Sequence, residues 1–151
     1  MGSNTNSLHA TTRGIDIHHH FLPPSFVDAL AQSGHPAAAQ VMALAWSPEK
    51  SLAMIDESGI ETAIVSLSLP GASYTGAADP AALARQSNEY AARMIADHPG
   101  RFGAFASLPM LDAQAAMAEV EYALDTLKLD GVMLLSNVRG RYLGDLSLIH
   151  I

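Results

Sequence analysis

Three consecutive histidines are the part of the sequence with the clearest chemical potential. They stand in the segment GIDIHHHFLPP, residues 14–24, inside an alternating apolar run. Because side chains alternate along a β-strand, His18 and His20 should point to one face and His19 to the other. Two imidazoles spaced in this way can bind one metal ion, since Zn–N distances of about 2.0–2.1 Å are within their reach. His18 and His20 are therefore the predicted metal ligands.

The neighbours of these ligands have predicted roles of their own. Asp16 shares the strand parity of His18 and His20, and we expect its carboxylate to accept a hydrogen bond from a ligand ring. His19 is expected to pack outward against a helix or loop. Phe21 is a candidate for lining a substrate pocket, and a contact with the first helix is the alternative. The strand thus combines metal ligands with their immediate supports.

Two other origins could explain the three consecutive histidines. Structural histidines on a strand would give the same spacing, whereas three histidines inside a strand pattern are too few for a usual affinity tag. Zinc sites usually have three or more protein ligands. The other histidines supply no obvious third ligand, because they lie in polar, loop, helix-end and C-terminal positions: His9, His35, His98 and His150.

The composition predicts one globular domain. The chain has 151 residues, 49% of them hydrophobic and 15% charged, and it contains no cysteine. The lack of cysteine and of an apolar N-terminal signal fits a cytoplasmic protein. The net charge of −7 and the scattered basic residues disfavour a nucleic acid partner. No run of apolar residues is long enough to predict a membrane span.

The apolar patterning alternates between strands and helices. Four segments are typical of strands: GIDIHHHF, IETAIVSLSLPG, FGAFASLP and DGVMLLSN. Helices separate them, and three of these have predicted N-terminal caps at Ser47, Asp79 and Asp112. The stretch from His35 to Trp46 fits either a loop or an irregular helix. This alternation predicts a parallel sheet, either an open doubly wound sheet or part of a (β/α)8 barrel.

The segment IDIHHHFLPPSFVDAL resembles the opening of the amidohydrolase superfamily. It is most similar to the metal-dependent decarboxylase branch, which contains aminocarboxymuconate-semialdehyde, 6-methylsalicylate and γ-resorcylate decarboxylases. Three later blocks agree in the same order: WSPEKSLAMIDESGIETAIVSLSLPG, NEYAARMIADHPGRFGAFASLPMLD and LDGVMLLSNVRGRYLGD. The resemblance covers residues 14–145 and is strongest to the 6-methylsalicylate-like subgroup.

This resemblance implies an α/β fold, the (β/α)8 TIM barrel of the metallo-dependent hydrolase type. A complete barrel of this kind needs about 250 residues, so the sequence would contain only the first four βα units. We expect residues 1–13 to be a disordered lead-in and residues 14–145 to form the N-terminal half of the barrel. Residues 146–151 are expected to be an atypical tail that results from truncation.

The resemblance also implies one divalent metal ion, with zinc expected, and His18 and His20 as its first two ligands. The histidine after the fifth strand and the aspartate after the eighth strand of the family have no counterpart here. The implied reaction is non-oxidative decarboxylation of a small aromatic or unsaturated carboxylic acid, with an unknown catalytic acid. Asn137, after the fourth strand, is a candidate for hydrogen bonding to this substrate, and a turn residue is the alternative.

Three functions remain open from the sequence. The first is the decarboxylase, and the second is a hydrolase of the same superfamily that cleaves an amide or ester with metal-activated hydroxide. The third is an inactive half-barrel, or one that forms a homo-oligomer through its open sheet edges. We expect the 151-residue chain alone to bind zinc weakly and to lack significant catalysis.

Overall fold

The computed structural model of the chain describes residues 14–34, 36–73 and 77–146. The expected lead-in over residues 1–13 and the tail from residue 147 onward lie outside these residues, as do His9, His35 and His150. The main sheet has four strands: β1 (Gly14–Phe21), β2 (Ile60–Leu67), β3 (Phe102–Ala106) and β4 (Gly131–Val132). A separate hairpin follows, formed by β5 (Asn137–Val138) and β6 (Arg141–Tyr142).

Helices connect the strands of the main sheet. They are α1 (Pro24–Gln32), α2 (Pro36–Ala45), α3 (Pro48–Glu57), α4 (Pro80–Asp97) and α5 (Ala113–Glu121), the last continuing into a π-helical turn over Tyr122–Thr126. The stretch from His35 to Trp46, which fitted either a loop or an irregular helix, therefore contains a helix, α2. None of the helices within the described ranges is long and apolar enough to cross a membrane.

The order of the strands distinguishes between the two predicted architectures. All neighbouring pairs are parallel, and the strands lie in the sheet in the order β1-β2-β3-β4. A doubly wound sheet reverses its strand order at a switch point, whereas a barrel keeps neighbouring strands in sequence order. The structure therefore confirms the barrel type of fold, represented by four of its strands.

Local capping determines where three helices begin. Each predicted cap accepts a hydrogen bond from a backbone N–H three residues later: Ser47 from Lys50 at 3.3 Å, Asp79 from Ala82 at 2.9 Å and Asp112 from Ala115 at 3.0 Å. Pro48 and Pro80 occupy the first helical positions, where no intrahelical N–H donor is needed.

The core lies between the sheet and its helices. Strand side chains on the helix-facing side are buried: Ala63, Val65, Leu67, Phe102, Ala104 and Ala106. They belong to one cluster with buried helix residues such as Phe26, Ile55, Leu83 and Met94. Ile15 and Ile17 on β1, in contrast, are 65% and 67% exposed. One surface of β1 is therefore open in the described part of the chain.

The fourth strand is much shorter than the sequence predicts. Gly131 and Val132 are its strand residues paired with β3, and the chain forms the β5–β6 hairpin only after residues 133–136. The two residues of its loop, Arg139 and Gly140, have φ values of 52° and 78°. Positive φ at both loop residues is the requirement of a type I′ turn, so this segment pairs with itself rather than extending β4.

Gly103 in β3 allows the close approach of two neighbouring side chains, those of Asp130 and Ile64. A Cβ at this position would lie 2.5 Å from Asp130 Oδ2 and 2.6 Å from Ile64 Cδ1. The Asp130 oxygen is held in place because it accepts a hydrogen bond from the backbone N–H of Ala104 at 2.8 Å. A methyl group at residue 103 would therefore displace a fixed carboxylate.

We expect Gly103→Ala to lower the free energy of unfolding by about 1–3 kcal/mol, the usual cost of overpacking. Gly14→Ala is the matched control, since a Cβ there would lie 4.0 Å from its nearest neighbour, Ile60. Urea unfolding followed by the fluorescence of Trp46, the single tryptophan, measures both variants. Equal stability loss in the two variants would contradict the steric explanation.

Candidate metal centre

A bulge in β1 determines which side chains share a face. Asp16 lies opposite Ala63 and His19 lies opposite Val65, so three steps along β1 correspond to two steps along β2. An extra residue of this kind shifts the alternation of side chains by one position. Asp16 therefore shares a side with His19, and the prediction that it faces the same way as His18 and His20 is wrong.

The structure brings the two predicted ligands together. His18 and His20 are exposed, and the centroids of their rings lie 5.0 Å apart with an angle of 83° between the ring planes. His18 lies within the bulge and His20 lies beyond it, and both side chains are on the exposed side of the strand. They are therefore close enough to approach a common ion.

The neighbouring strand orients the ring of His20. Its Nδ1 lies 3.3 Å from the backbone oxygen of Ser66 and 3.4 Å from the Ser66 hydroxyl. Since a carbonyl oxygen can only accept, Nδ1 carries the hydrogen and Nε2 has a free lone pair. A metal-binding histidine usually has this arrangement, in which the second ring nitrogen donates to a protein oxygen.

His19 is buried on the opposite side, against helix α3. Its Nε2 lies 3.0 Å from Ser51 Oγ, and its Nδ1 lies 3.1 Å from Asp16 Oδ2. Asp16 Oδ1 accepts a hydrogen bond from the backbone N–H of His18 at 2.9 Å. This backbone amide holds the pKa of the Asp16 carboxyl below its usual range, against the opposing effect of burial, and His19 lowers the pKa further.

The pair alone does not make a complete metal site. Within residues 14–34, 36–73 and 77–146, no group of three or more histidine, cysteine, aspartate and glutamate side chains is placed to hold a metal ion. Asp16 does not complete the set, because both of its oxygens already accept hydrogen bonds. The imidazoles fit a divalent ion as two ligands that leave its other positions open.

The two predicted substrate contacts lie elsewhere. Phe21 is 1% exposed and packs in the core, with ring centroids 6.3 Å from Tyr90 and 6.4 Å from Trp46. It shares the parity of His19, which explains why it faces the helices rather than a pocket. Asn137 is exposed, and its Oδ1 accepts a hydrogen bond from the Gly140 N–H at 3.3 Å. Asn137 therefore acts as a turn residue, which was the alternative to hydrogen bonding with the substrate.

Two residues of the site were not found from the sequence. Ser51 contacts His19 from α3, and Ser66 contacts His20 from β2. Both are serines 32 and 46 positions away from their partners, and neither belongs to a motif of recognisable spacing. Only the packing of α3 and β2 against β1 reveals them.

Comparison with known proteins identifies the family. The chain belongs to the amidohydrolase family, whose model matches residues 15–148. Decarboxylase yanB of Aspergillus niger is 43% identical over 136 residues, which cover 86% of this chain and 37% of that protein. The 6-methylsalicylic acid decarboxylase of Penicillium expansum is 38% identical over 122 residues, covering 80% and 37%. The resemblance to the decarboxylase branch is confirmed.

Solved structures agree with this assignment. The structure of dihydroxybenzoic acid decarboxylase from Polaromonas sp. JS666, with bound manganese and 2-nitroresorcinol, superimposes with a TM-score of 0.70 at 25% identity, covering 90% of this chain and 44% of that one. The 5-carboxyvanillate decarboxylase of Novosphingobium aromaticivorans gives 0.80 at 19% identity, covering 93% and 47%, and supports the fold alone. The chain thus spans less than half the length of these relatives.

The tautomer of His20 provides a direct test of the site geometry. We expect the neutral ring to carry its hydrogen on Nδ1, because the Ser66 carbonyl can accept but cannot donate. Long-range ¹⁵N–¹H correlation spectra of histidine-labelled protein distinguish the two tautomers. Ser66→Ala is the control, since it removes the hydroxyl but keeps the carbonyl and should leave the tautomer unchanged. A ring protonated mainly on Nε2 would contradict this geometry.

Proposed function

We propose that this chain carries part of the active site of a metal-dependent, non-oxidative decarboxylase that acts on a small aromatic carboxylic acid. The observation that carries the proposal is the pair of adjacent, exposed imidazoles, His18 and His20, at the C-terminal end of β1. That end of the strands is where barrels of this type have their active sites. Identities of 43% and 38% to named decarboxylases support the choice of reaction.

We propose one divalent ion at this pair, held by His18 and His20. Imidazole suits several divalent metals, and the manganese in the dihydroxybenzoic acid decarboxylase structure supports an ion of this charge. Zinc, which the resemblance favours, is the second candidate. When bound, such an ion polarises oxygen atoms of the substrate and fixes its orientation.

The residues around the pair have positioning roles in this proposal. Ser66 holds the His20 ring so that its Nε2 stays available, and Asp16 holds the backbone of His18. In the overall reaction the bond between the ring carbon and the carboxylate breaks, CO2 leaves, and a proton takes its place. Asp16 is unsuited to deliver that proton, since its lowered pKa keeps it ionised and both of its oxygens accept hydrogen bonds.

We predict that the 151-residue chain binds one divalent ion weakly and shows no significant turnover. The reason is that two imidazoles are fewer protein ligands than a catalytic zinc site normally has. Isothermal titration with Zn²⁺ and Mn²⁺ measures binding, and the combination of His18→Gln with His20→Gln should abolish it. His98→Gln, at the end of α4, is the control that should leave binding unchanged. Turnover of 6-methylsalicylate by the chain alone would contradict this prediction.

A chimeric enzyme tests the reaction itself. Residues 14–145 replace the matching segment of the Penicillium expansum 6-methylsalicylic acid decarboxylase, and CO2 release from 6-methylsalicylate is measured. We expect the chimera to decarboxylate 6-methylsalicylate, and we expect the rate to fall by at least about 100-fold in His18→Ala or His20→Ala. Loss of a hydrogen-bonding partner of a metal ligand already lowers activity, and loss of the ligand itself should lower it further. His98→Ala should retain activity.

The same chimera separates the proposed reaction from its main competitor. A folded, metal-loaded chimera that cleaves aryl esters or amides but releases no CO2 would contradict the decarboxylase. That result would favour a hydrolase of the same family, which uses metal-activated hydroxide.

A further inference from the structure

A chain of hydrogen bonds connects helix α3 with the strand that carries the candidate ligands. We propose that Ser51, His19 and Asp16 form a positioning relay, which fixes the bulge in β1 and thereby orients His18 and His20 for metal binding. The inference rests on the proposed metal site, and it assigns a task to three residues that bind neither metal nor substrate.

The atoms of the relay have complementary donor and acceptor roles. The Ser51 hydroxyl donates to His19 Nε2 over 3.0 Å, and His19 Nδ1–H donates to Asp16 Oδ2 over 3.1 Å. Asp16 Oδ1 then accepts the backbone N–H of His18 over 2.9 Å. Every polar atom is used once, and the chain ends on the backbone of a predicted ligand.

Burial makes the relay rigid. Ser51 and His19 are only 4% and 6% exposed, so water cannot easily replace either partner. A buried donor or acceptor left without a partner costs about 1–3 kcal/mol, which strongly favours the connected arrangement. Ser51 also lies in the first turns of α3, a helix that Ser47 caps, so one end of the relay is attached to an ordered element.

The bulge explains how the relay acts on the ligands. Ile17 and His18 have no partner in the ladder with β2, because the register passes directly from Asp16 to His19. A bulge leaves such residues outside the regular pairing, and the carboxylate of Asp16 provides an acceptor for the His18 N–H. Loss of the relay should therefore allow His18 to move relative to His20.

The order serine, histidine, aspartate is also that of a nucleophilic triad. Burial argues against that function here, because a substrate carbonyl must reach the serine oxygen and Ser51 is 4% exposed. The carboxylate has a second task as well, since it bonds to the strand backbone beside the metal ligands. A positioning role accounts for both observations.

The test uses the full chain and Zn²⁺ alone. Binding is followed through the NMR signals of the His18 and His20 rings, assigned with single His18→Gln and His20→Gln variants, and each variant is also melted thermally. We expect Ser51→Ala and Asp16→Ala to raise the Kd about tenfold, as loss of an outer-shell partner does. Ser51→Thr keeps the hydroxyl and should restore binding to near the parent value.

Ser47→Ala is the matched control for stability. Ser47 caps the same helix, and the variant loses the hydrogen bond from the Lys50 N–H without touching the relay. It should lower the melting temperature and leave the Kd unchanged. This control separates weaker folding from weaker binding. The relay is supported only if Ser51→Ala and Asp16→Ala raise the Kd for zinc more than Ser47→Ala does.

Each result of this experiment is decisive. If Ser51→Ala and Asp16→Ala bind zinc as tightly as the parent chain, the relay is overturned and the metal site remains. The relay is also overturned if Ser47→Ala binds zinc as weakly as Ser51→Ala does. A parent chain whose His18 and His20 signals do not respond to zinc would instead contradict the metal site of the proposed function, and the relay with it.

Discussion

The carboxylate of Asp16 is the single group on which the geometry of β1 depends. It accepts hydrogen bonds from the His18 backbone N–H and from the His19 ring, and so ties together two successive residues at the bulge. Hydrogen bonds to a charged group contribute about 1.5–3 kcal/mol each, so the pair is strong enough to stabilise an irregular strand. The bulge, the burial of His19 and the exposure of His18 and His20 all follow from this arrangement.

The rest of the fold keeps the ligand end of the sheet in place. Directly after β3, the Ser107 N–H donates to Asn88 Oδ1 of α4 at 2.8 Å, and Asn88 Nδ2 donates to the Ser107 carbonyl and to Glu119 at 2.9 and 2.7 Å. Arg85 pairs with the other oxygen of Glu119 at 2.8 Å. This buried network joins α4 and α5 to the C-terminal end of β3. Two strands that contribute to the same edge of the barrel are thus supported by hydrogen bonds from their helices.

Local signals in the sequence were sufficient for much of the fold. The capping residues Ser47, Asp79 and Asp112 act within three residues of their own position, and the structure confirms all three. The spacing of two also predicted that His18 and His20 share a side, and both are exposed although His18 lies within the bulge. Patterning alone left open the choice between a barrel and a doubly wound sheet, since that choice depends on which strands become neighbours. The resemblance to the amidohydrolase superfamily predicted the barrel, and the strand order confirms it.

The errors arose where distant residues determine a local geometry. Asp16 faces His19 rather than the ligand pair because of the bulge, and His19 is bonded to Ser51, 32 positions away, a contact that periodicity does not reveal. Phe21 was proposed for a pocket and lies in the core, since its parity follows that of His19. The fourth strand is shorter than predicted, since only Gly131 and Val132 pair with β3 as strand residues, and Asn137 belongs to a separate hairpin whose loop residues have positive φ. Periodicity alone carries no information about such contacts.

We propose that His18 and His20 bind one divalent ion together, and one measurement tests this directly. X-ray absorption at the zinc edge, recorded with less than one equivalent of Zn²⁺ per chain, reports the number of imidazole nitrogens directly. The account predicts two imidazoles at about 2.0–2.1 Å, with oxygen at the remaining positions. It predicts one imidazole fewer in either His18→Gln or His20→Gln. A spectrum without imidazole, or one that both substitutions leave unchanged, would contradict the metal centre.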